Sequence, residues 1–163
     1  MYHANIDTEE LARQYFAQGY RAHMSGDYDM AQEWYRKSIK SYPTAQAYTH
    51  LGWSMSMQRR YEEALEQCFV AIQMDPSYGN PYNDIGSYYI EMGQIGEAEP
   101  YLIRATQIGS YQEKHFAYYN LGQIYEMRGN FLQAFRYYKR SYEENKAFLK
   151  AKQKVKRLLA ILN

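Results

Sequence analysis

Apolar side chains recur at helical spacing in the second half of the chain. One stripe falls at i, i+3, i+4 and i+7 and consists of Tyr118, Leu121, Gly122 and Tyr125. The stretch 127–130 then predicts a turn, because its glycine readily adopts the positive φ that ends helices. A second stripe follows at Phe131, Ala134, Phe135 and Tyr138. The pattern therefore predicts two antiparallel helices joined by a tight turn, which is a helical hairpin.

The same hairpin pattern occurs four times. Three columns keep the separations 33, 34 and 36 and consist of Tyr15, Tyr48, Tyr82 and Tyr118, of Gly19, Gly52, Gly86 and Gly122, and of Ala31, Ala64, Ala98 and Ala134. This self-similarity predicts four repeats, at about 12–44, 45–78, 79–114 and 115–146. One hairpin of this size cannot bury its apolar stripe, so we expect neighbouring hairpins to stack and complete the core.

Small residues and the chain ends complete the predicted packing. Each repeated glycine is expected where the two helices of a hairpin cross, with the repeated alanine facing it, because larger side chains would hold the helices apart. Asp7 or Thr8 is a candidate N-cap for the first helix. Pro100 is expected in the first turn of its helix, where its missing N–H is tolerated. Residues 147–162 predict an amphipathic helix that covers the last hairpin.

These units resemble tetratricopeptide repeats. The family pattern W-x2-L-G-x2-Y…A-x3-F…P is matched in the second unit by Tyr48, Leu51, Gly52, Met55, Ala64, Cys68 and Pro76. Tyrosines replace the first tryptophan in all four units, and Gln18 replaces the leucine of the first unit. The resemblance implies an all-α fold, a right-handed α-solenoid of antiparallel helix hairpins. It also implies a single domain over residues 1–163, with residues 147–162 as a capping helix.

Composition excludes several other classes of protein. The 163 residues include 20 tyrosines but only one cysteine, and their formal net charge is +1. No stretch approaches the roughly 18 apolar residues of a membrane span, and the opening segment has acids where a signal peptide would be apolar. One cysteine cannot form an internal disulfide, which is compatible with a reducing compartment. We therefore expect a soluble protein located in the cytoplasm.

No arrangement of residues typical of catalysis or cofactor binding is visible. The histidines at 3, 23, 50 and 115 lack the HExxH spacing of a zinc site, and neither GxGxxG nor GxxxxGK[ST] occurs. Cys68 occupies a packing column, where a cysteine usually behaves as a small hydrophobe rather than as a nucleophile. The sequence predicts no enzyme activity, no catalytic residue, no cofactor and no metal site.

The resemblance also implies a binding surface. In tetratricopeptide proteins the first helices of successive hairpins line a concave groove, and residues between the packing columns face it. The groove residues carried over to this chain are Arg13, Phe16, Tyr20, Met24, Thr49, His50, Trp53, Met57, Asn83, Asp84, Ser87, Phe116, Tyr119, Asn120 and Gln123. Aromatic and methionine side chains in the first two repeats suit an apolar peptide or helix. His50, Asp84 and Asn120 share one repeat position and could hydrogen-bond an extended peptide's backbone.

These residues favour a non-enzymatic interaction module or adaptor that binds a peptide or helix of another protein. A cytoplasmic secretion or assembly chaperone for a client protein is the alternative, and a homo-oligomer stays open. Family members that bind Hsp70 or Hsp90 tails clamp the terminal carboxylate with lysine, arginine and asparagine. At those positions this chain has Phe16, Tyr20, His50, Asn80 and Asp84. The lysine and arginine of the clamp are missing, which argues against an Hsp70 or Hsp90 tail as the partner.

Charge is distributed unevenly along the chain. Residues 136–163 contain nine Lys or Arg and two Glu. A basic helix can bind the phosphates of nucleic acid or an acidic membrane surface. Here the lysines spread around the polar face without interleaved aromatic stacking groups, which favours a solvated capping helix over a nucleic-acid site.

Overall fold

The computed structural model describes residues 2–162, with side chains from Thr8 onward, and this part of the chain contains helices and no strands. In chain order its helices are α1 (Tyr2–Met24), α2 (Tyr28–Ser41), α3 (Ala45–Ser56), α4 (Tyr61–Met74), α5 (Asn80–Glu91), α6 (Ile95–Gln107), α7 (Lys114–Met127), α8 (Phe131–Glu144) and α9 (Leu149–Leu162). The predicted all-α fold class is confirmed.

The helices group into two compact units, Met1–Asp84 and Ile85–Asn163, called unit 1 and unit 2 below. In unit 1, α1 packs on α2, α2 on α3 and α3 on α4. In unit 2, α6 packs on α7, α7 on α8 and α8 on α9. The repeated alanines are fully buried in both units. Each unit therefore buries the apolar faces of its own successive helices, as the repeat pattern predicts.

The repeated glycines lie at helix crossings, as predicted, and at some of them a large side chain also approaches the glycine closely. A Cβ at Gly19 would lie 2.7 Å from the ring of Tyr35, and a Cβ at Gly122 would lie 2.6 Å from the ring of Tyr138. Each ring lies one helical turn beyond the repeated alanine. At Gly52 the nearest atom is the carbonyl oxygen of Ala64, at 2.9 Å, as the glycine–alanine pairing predicts. At Gly19 and Gly122 a large side chain one turn later also lies in the space left by the missing Cβ.

The turns inside the four hairpins share one backbone conformation. Gly26, Gly93 and Gly129 have φ values of 84°, 76° and 74°, and Arg59 has a φ of 61° at the same repeat position. The left-handed region costs a residue with a Cβ roughly 1–2 kcal/mol. Arg59 therefore adopts a backbone conformation that is adopted by a glycine in each of the other three turns.

Two helix ends differ from the sequence prediction. The first helix begins at Tyr2, so residues 7 and 8 lie inside α1 and not at its N-cap. Neither proline nor glycine precedes them to interrupt the helix. Pro100 is the sixth residue of α6 and thus lies beyond the first turn. Because proline has no N–H, the carbonyl of Gly96 loses its usual donor within the helix.

The predicted capping helix is present as α9. Leu158 of α9 is fully buried in one cluster with Ala134 and Tyr138 of α8. The helix therefore covers the apolar face of the last hairpin, as expected. Along residues 2–162, none of the helices has the length and apolar character needed to cross a membrane.

Candidate functional site

Four rings from the first helices of the two hairpins of unit 1 form a continuous cluster. Phe16 and Tyr20 of α1 and His50 and Trp53 of α3 make up this surface, called the aromatic face below. The His50 ring lies 4.8 Å from Phe16, 6.2 Å from Tyr20 and 5.9 Å from Trp53, measured between centroids. These separations are typical of favourable aromatic pairs. The structure therefore brings together four of the predicted groove residues.

A buried histidine supports the aromatic face from below. The ring of His23 stacks on Trp53 with centroids 3.7 Å apart, and its Nδ1 lies 2.8 Å from the hydroxyl oxygen of Ser54. Burial disfavours the imidazolium, and the neighbouring His50 adds repulsion, so the pKa of His23 is lowered to about 4. His23 is consequently neutral at physiological pH. No sequence pattern indicates this supporting role of His23.

The aromatic face is accessible and flanked by methionines. Tyr20 is 44% exposed, while Phe16, His50 and Trp53 are half-buried. Met24 and Met57, each four residues beyond a ring of the face, are 62% and 48% exposed. Large apolar side chains exposed together are typical of interaction sites. This combination of ordered rings and flexible methionines is the most distinctive surface feature of unit 1.

Other predicted groove residues of unit 1 are engaged within the chain. Thr49 is buried, and its hydroxyl donates to the carbonyl oxygen of Ala45 at 2.8 Å. Asn83 is also buried, and its amide donates to Asp84 at 3.3 Å. His50 uses Nδ1 to bond the carbonyl oxygen of Gln46 at 2.9 Å. Buried side chains cannot line a surface, so Thr49 and Asn83 take no part in the site described below.

Arg13 stands beside a cavity between the middle of α1 and the start of α3. The cavity has a volume of about 420 Å³, and its walls include Glu9, Ala12, Arg13, Phe16, Thr44 and Gln46. The guanidinium of Arg13 bonds Glu9 at 3.4 Å and Glu10 at 3.2 Å. This volume lies within the range of about 300–1,000 Å³ found for small-ligand sites. Phe16 thus belongs both to the aromatic face and to the cavity wall.

The predicted groove rings of unit 2 are contacted by the start of the capping helix. The ring of Phe148 lies 5.4 Å from Phe116, 5.2 Å from Tyr119 and 5.2 Å from His115. Phe116 remains 38% exposed, and Tyr119 is half-buried. The remaining predicted residues of this unit, Ser87, Asn120 and Gln123, are half-buried. Unit 2 therefore fills from within a position that unit 1 leaves open.

A charged cluster that the sequence reasoning missed joins α9 to the last hairpin. Glu126 accepts hydrogen bonds from the Tyr138 hydroxyl at 2.7 Å, from Lys154 Nζ at 3.1 Å and from Arg157. Burial alone would raise the pKa of Glu126, but these bonds outweigh it and lower that pKa to about 2. The sequence signal for this cluster was the spacing of Lys154 and Arg157, which places both cations on one face of α9. Two of the five basic residues of α9 therefore attach this helix to the last hairpin.

Neither a reactive cysteine nor a metal cluster marks another site. Burial raises the pKa of the Cys68 thiol well above its ordinary value, and the charge of Asp84 adds to this effect. Over the residues with described side chains, no three His, Cys, Asp or Glu groups are placed to hold a metal ion. The aromatic face and the adjoining cavity are the candidate recognition surfaces of unit 1.

Curated relatives share parts of this chain. The mouse (Mus musculus) protein "Sperm-associated antigen 1" is 30% identical over 98 residues, which is 60% of this chain and 11% of that protein. The yeast (Saccharomyces cerevisiae) "Heat shock protein STI1" is 26% identical over 99 residues, 60% of this chain and 17% of that protein. The chain therefore spans less than a fifth of the length of these relatives.

Solved structures resemble the chain over most of its length. The protein in "Functional Characterization of Pseudomonas Aeruginosa pilF" superposes with a TM-score of 0.87 at 22% identity, covering 94% of this chain and 70% of that one. PilW, titled a "widely conserved type IV pilus biogenesis factor", gives a TM-score of 0.82 at 20% identity, covering 92% and 69%. At these identities the likeness concerns the fold.

Family models complete the comparison. Two models described as "Tetratricopeptide repeat" match the chain, one over residues 11–78 and the other over residues 77–143. These matches run through all four hairpins and agree with the repeated glycine and alanine columns. The chain belongs to the tetratricopeptide repeat family.

Proposed function

We propose that this chain is a non-enzymatic interaction module that holds a peptide segment or helix of a partner protein on the aromatic face of unit 1. Members of the family mediate contacts between proteins. What we propose for this chain is the surface that binds and the apolar character of the segment bound. The observation that carries it is the ordered cluster of Phe16, Tyr20, His50 and Trp53 with exposed methionines beside it.

The aromatic face suits an apolar anchor because its rings are held in place before binding. Trp53 is stacked on His23, and His23 is in turn bonded to Ser54. Ordering side chains at an interface costs about 0.5–1.5 kcal/mol for each one immobilised, and a pre-ordered ring avoids that cost. Aromatic residues are also enriched among the side chains that dominate binding energy. We therefore assign Trp53 as the main anchor.

The methionines and the charge state support the same class of partner. Met24 and Met57 are exposed and flexible, so they adapt to different apolar side chains. Because the pKa of His23 is about 4, the layer beneath the rings is uncharged at neutral pH. We infer a partner segment whose contacting side is apolar, with no required carboxylate.

The remaining predicted residues have secondary roles in this proposal. Arg13 lies beside the cavity, and Asp84 is offered as a polar contact to the peptide backbone within unit 1. Ser87, Asn120 and Gln123 stay predictions for the surface of unit 2. Phe116 and Tyr119 already contact Phe148, so we give them less weight than the rings of unit 1. Aromatic rings replace the cationic clamp, so we do not propose an Hsp70 or Hsp90 tail as the partner.

An assembly or secretion chaperone is a second candidate function. The shared fold with PilW, a pilus biogenesis factor by its title, motivates this alternative. Under it, the same aromatic face would shield an apolar segment of an incompletely assembled client. We propose a cytoplasmic location in either case, with which the single, buried Cys68 is compatible. Client-dependent yield on co-expression separates a chaperone from an adaptor.

The test compares two tryptophans that lie on different helices. Trp53→Ala removes the proposed anchor from α3. Trp34→Ala removes a ring on α2 that stacks on Tyr15 at 5.6 Å and carries Lys37 at 4.2 Å. Each variant is used to capture partners from a lysate of the source cell, with helical circular dichroism as the folding control. We expect Trp53→Ala to weaken capture about tenfold or more, which corresponds to about 1.4 kcal/mol or more.

The control variant Trp34→Ala shows whether a loss of capture is specific to the aromatic face. Trp34→Ala should retain capture within about twofold, because its ring is not part of the aromatic face. Equal capture by wild type and Trp53→Ala, with both folded, would show that the partner binds elsewhere.

A further inference from the structure

The two ends of the array offer a direct internal comparison. The α1/α2 hairpin corresponds to the α7/α8 hairpin with a shift of 103 residues, which relates Gly19 to Gly122. The structure shows the same hydrogen bond in both places. The Ser38 hydroxyl donates to Ala12 at 2.8 Å, and the Ser141 hydroxyl donates to His115 at 2.6 Å. The two hairpins can therefore be compared residue by residue.

The helix that follows each hairpin begins one residue later in unit 2, because residues 42–44 join α2 to α3 whereas residues 145–148 join α8 to α9. Thr44 directly precedes α3, and Phe148 directly precedes α9. The Phe148 ring packs against His115, Phe116 and Tyr119, as described above. Thr44 is much smaller, and its hydroxyl instead caps α3 by accepting from the Ala47 N–H at 3.1 Å. Unit 1 therefore lacks a ring at the residue before its next helix, while Tyr42, the counterpart of Asn145, lines the cavity.

The residues that would receive such a ring in unit 1 line the cavity. The counterparts of His115, Phe116 and Tyr119 are Ala12, Arg13 and Phe16, and these three belong to the cavity walls together with Thr44. The open volume of about 420 Å³ thus corresponds to the position that Phe148 fills in unit 2. A small alanine in place of His115 adds to the space.

We propose that this cavity is a specificity pocket for one aromatic side chain of the partner segment, with a lysine or arginine close to it in the partner's sequence. The proposal rests on the proposed function and deepens it by naming the class of side chain bound beside the aromatic face. Phe16 forms the common wall of pocket and face, so one extended segment can occupy both.

Charge at the rim supports the basic neighbour. Glu9 lines the cavity and shares the guanidinium of Arg13 with Glu10 on the outer side of α1, so two carboxylates of α1 share this one cation. Opposite charges across an interface favour the correct register and partner. The chain's own occupant of the corresponding position has the same character, because Phe148 is flanked by Lys146 and Lys150.

The probe for the experiment is a synthetic peptide with the sequence of residues 145–152, blocked at both ends and carrying 4-fluorophenylalanine in place of its phenylalanine. Binding to the full-length chain is followed by fluorine NMR and isothermal titration. Thr44→Phe should fill the pocket from within and weaken binding at least tenfold. Thr44→Ala removes the same N-cap without filling the space, so it should bind the peptide within about threefold of wild type.

Measurements on the wild-type chain and on altered peptides test the proposal without relying on the folding of Thr44→Phe. In the wild-type chain, the methyl signals of Ala12 and Thr44 should shift on binding, while those of Ala134 and Ala151 stay unchanged. A peptide with alanine in place of the aromatic residue should bind at least tenfold more weakly, and glutamates in place of its lysines should weaken binding about threefold. Equal binding to Thr44→Phe and Thr44→Ala, or shifts confined to unit 2, would overturn the proposal.

The two proposals fail in different ways. The pocket does not include Trp34, which also lies outside the aromatic face, so Trp34→Ala should bind the probe peptide within about threefold of wild type. Unchanged partner capture by Trp53→Ala, with peptide binding lost in Thr44→Phe, would overturn the aromatic-face assignment alone. Weakened partner capture by Trp53→Ala, with unchanged peptide binding in Thr44→Phe, would overturn the pocket alone.

Discussion

Replacing Glu126 by glutamine tests the cluster that attaches the capping helix. The carboxylate accepts hydrogen bonds from Tyr138, Lys154 and Arg157, and the last two belong to α9. Glutamine keeps the size of the side chain and removes its charge. The variant therefore weakens the electrostatic attachment of α9 while it leaves the apolar contacts of Leu158 in place.

The expected cost follows from the exposure of the three charged groups. Hydrogen bonds to charged groups contribute about 1.5–3 kcal/mol each when well formed. The side chain of Glu126 is 19% exposed, but those of Lys154 and Arg157 are 28% and 50% exposed. Water can therefore solvate both cations once the carboxylate is gone, which recovers much of the loss. We expect Glu126→Gln to lower the free energy of unfolding of unit 2 by about 1–3 kcal/mol at pH 7.

The pH dependence of the stability difference between wild type and Glu126→Gln provides an independent test. The pKa of Glu126 is about 2 in the folded chain and near the ordinary value of 4.5 when unfolded. A lowered pKa stabilises the fold above the unfolded value, and this stabilisation is lost as the pH falls from about 4.5 toward 2. The difference between wild type and Glu126→Gln should therefore be constant near neutral pH and shrink steadily below pH 4.5.

The assay is urea unfolding followed by circular dichroism between pH 7 and pH 2.5, with hydrogen exchange of the α9 amides as a local readout. Glu143→Gln is the matched control, because Glu143 makes only longer contacts, at 4.0 and 3.9 Å, to exposed cations on α8. That control should change stability by less than about 0.5 kcal/mol. The reasoning is refuted if Glu126→Gln matches the control at pH 7, or if its deficit persists unchanged at pH 2.5.

Three further predictions concern the packing of the repeats. Gly86→Ala should destabilise the chain by about 1–3 kcal/mol in urea unfolding, because its Cβ would lie 2.4 Å from Leu102, while Gly96→Ala meets no atom within 4 Å and should not destabilise. Equal midpoints for these two variants would contradict the predicted crossing. Arg59→Gly should raise the unfolding free energy by about 0.5–1 kcal/mol, since φ is 61° there; a loss of stability would show that the arginine side chain matters more than the backbone. Deleting 147–163 should expose the apolar face of α8 and cause aggregation in light scattering, whereas a monodisperse truncated chain would show that α9 is dispensable.

The sequence was sufficient to predict the helical architecture. Glycine at 19 and 122 and alanine at 31 and 134 keep one spacing, because two helices can cross closely only where side chains are small. The same argument predicted α9 from the apolar spacing of residues 147–162. These features depend on contacts within a hairpin or between consecutive helices, so a periodic pattern records them directly.

The parts that sequence reasoning missed depend on contacts between distant residues. Glu126 and Arg157 are separated by 31 positions, and nothing local to either predicts their bond. Thr49 was expected at the surface, but its hydroxyl bonds the preceding turn and its side chain is buried. The open pocket depends on what Thr44 and Ala12 do not fill. A side chain that is too small to occupy a space leaves no periodic signal.

The most direct test of the central claim locates the partner on the surface of the chain. A photo-crosslinking amino acid is introduced in place of Met57 on the aromatic side of α3 or, as a matched site, in place of Met74 at the end of α4. These methionines are 48% and 43% exposed, so both probes are accessible. The account predicts crosslinking of the captured partner from position 57 and little or none from position 74. Crosslinking from position 74 with none from position 57 would contradict it.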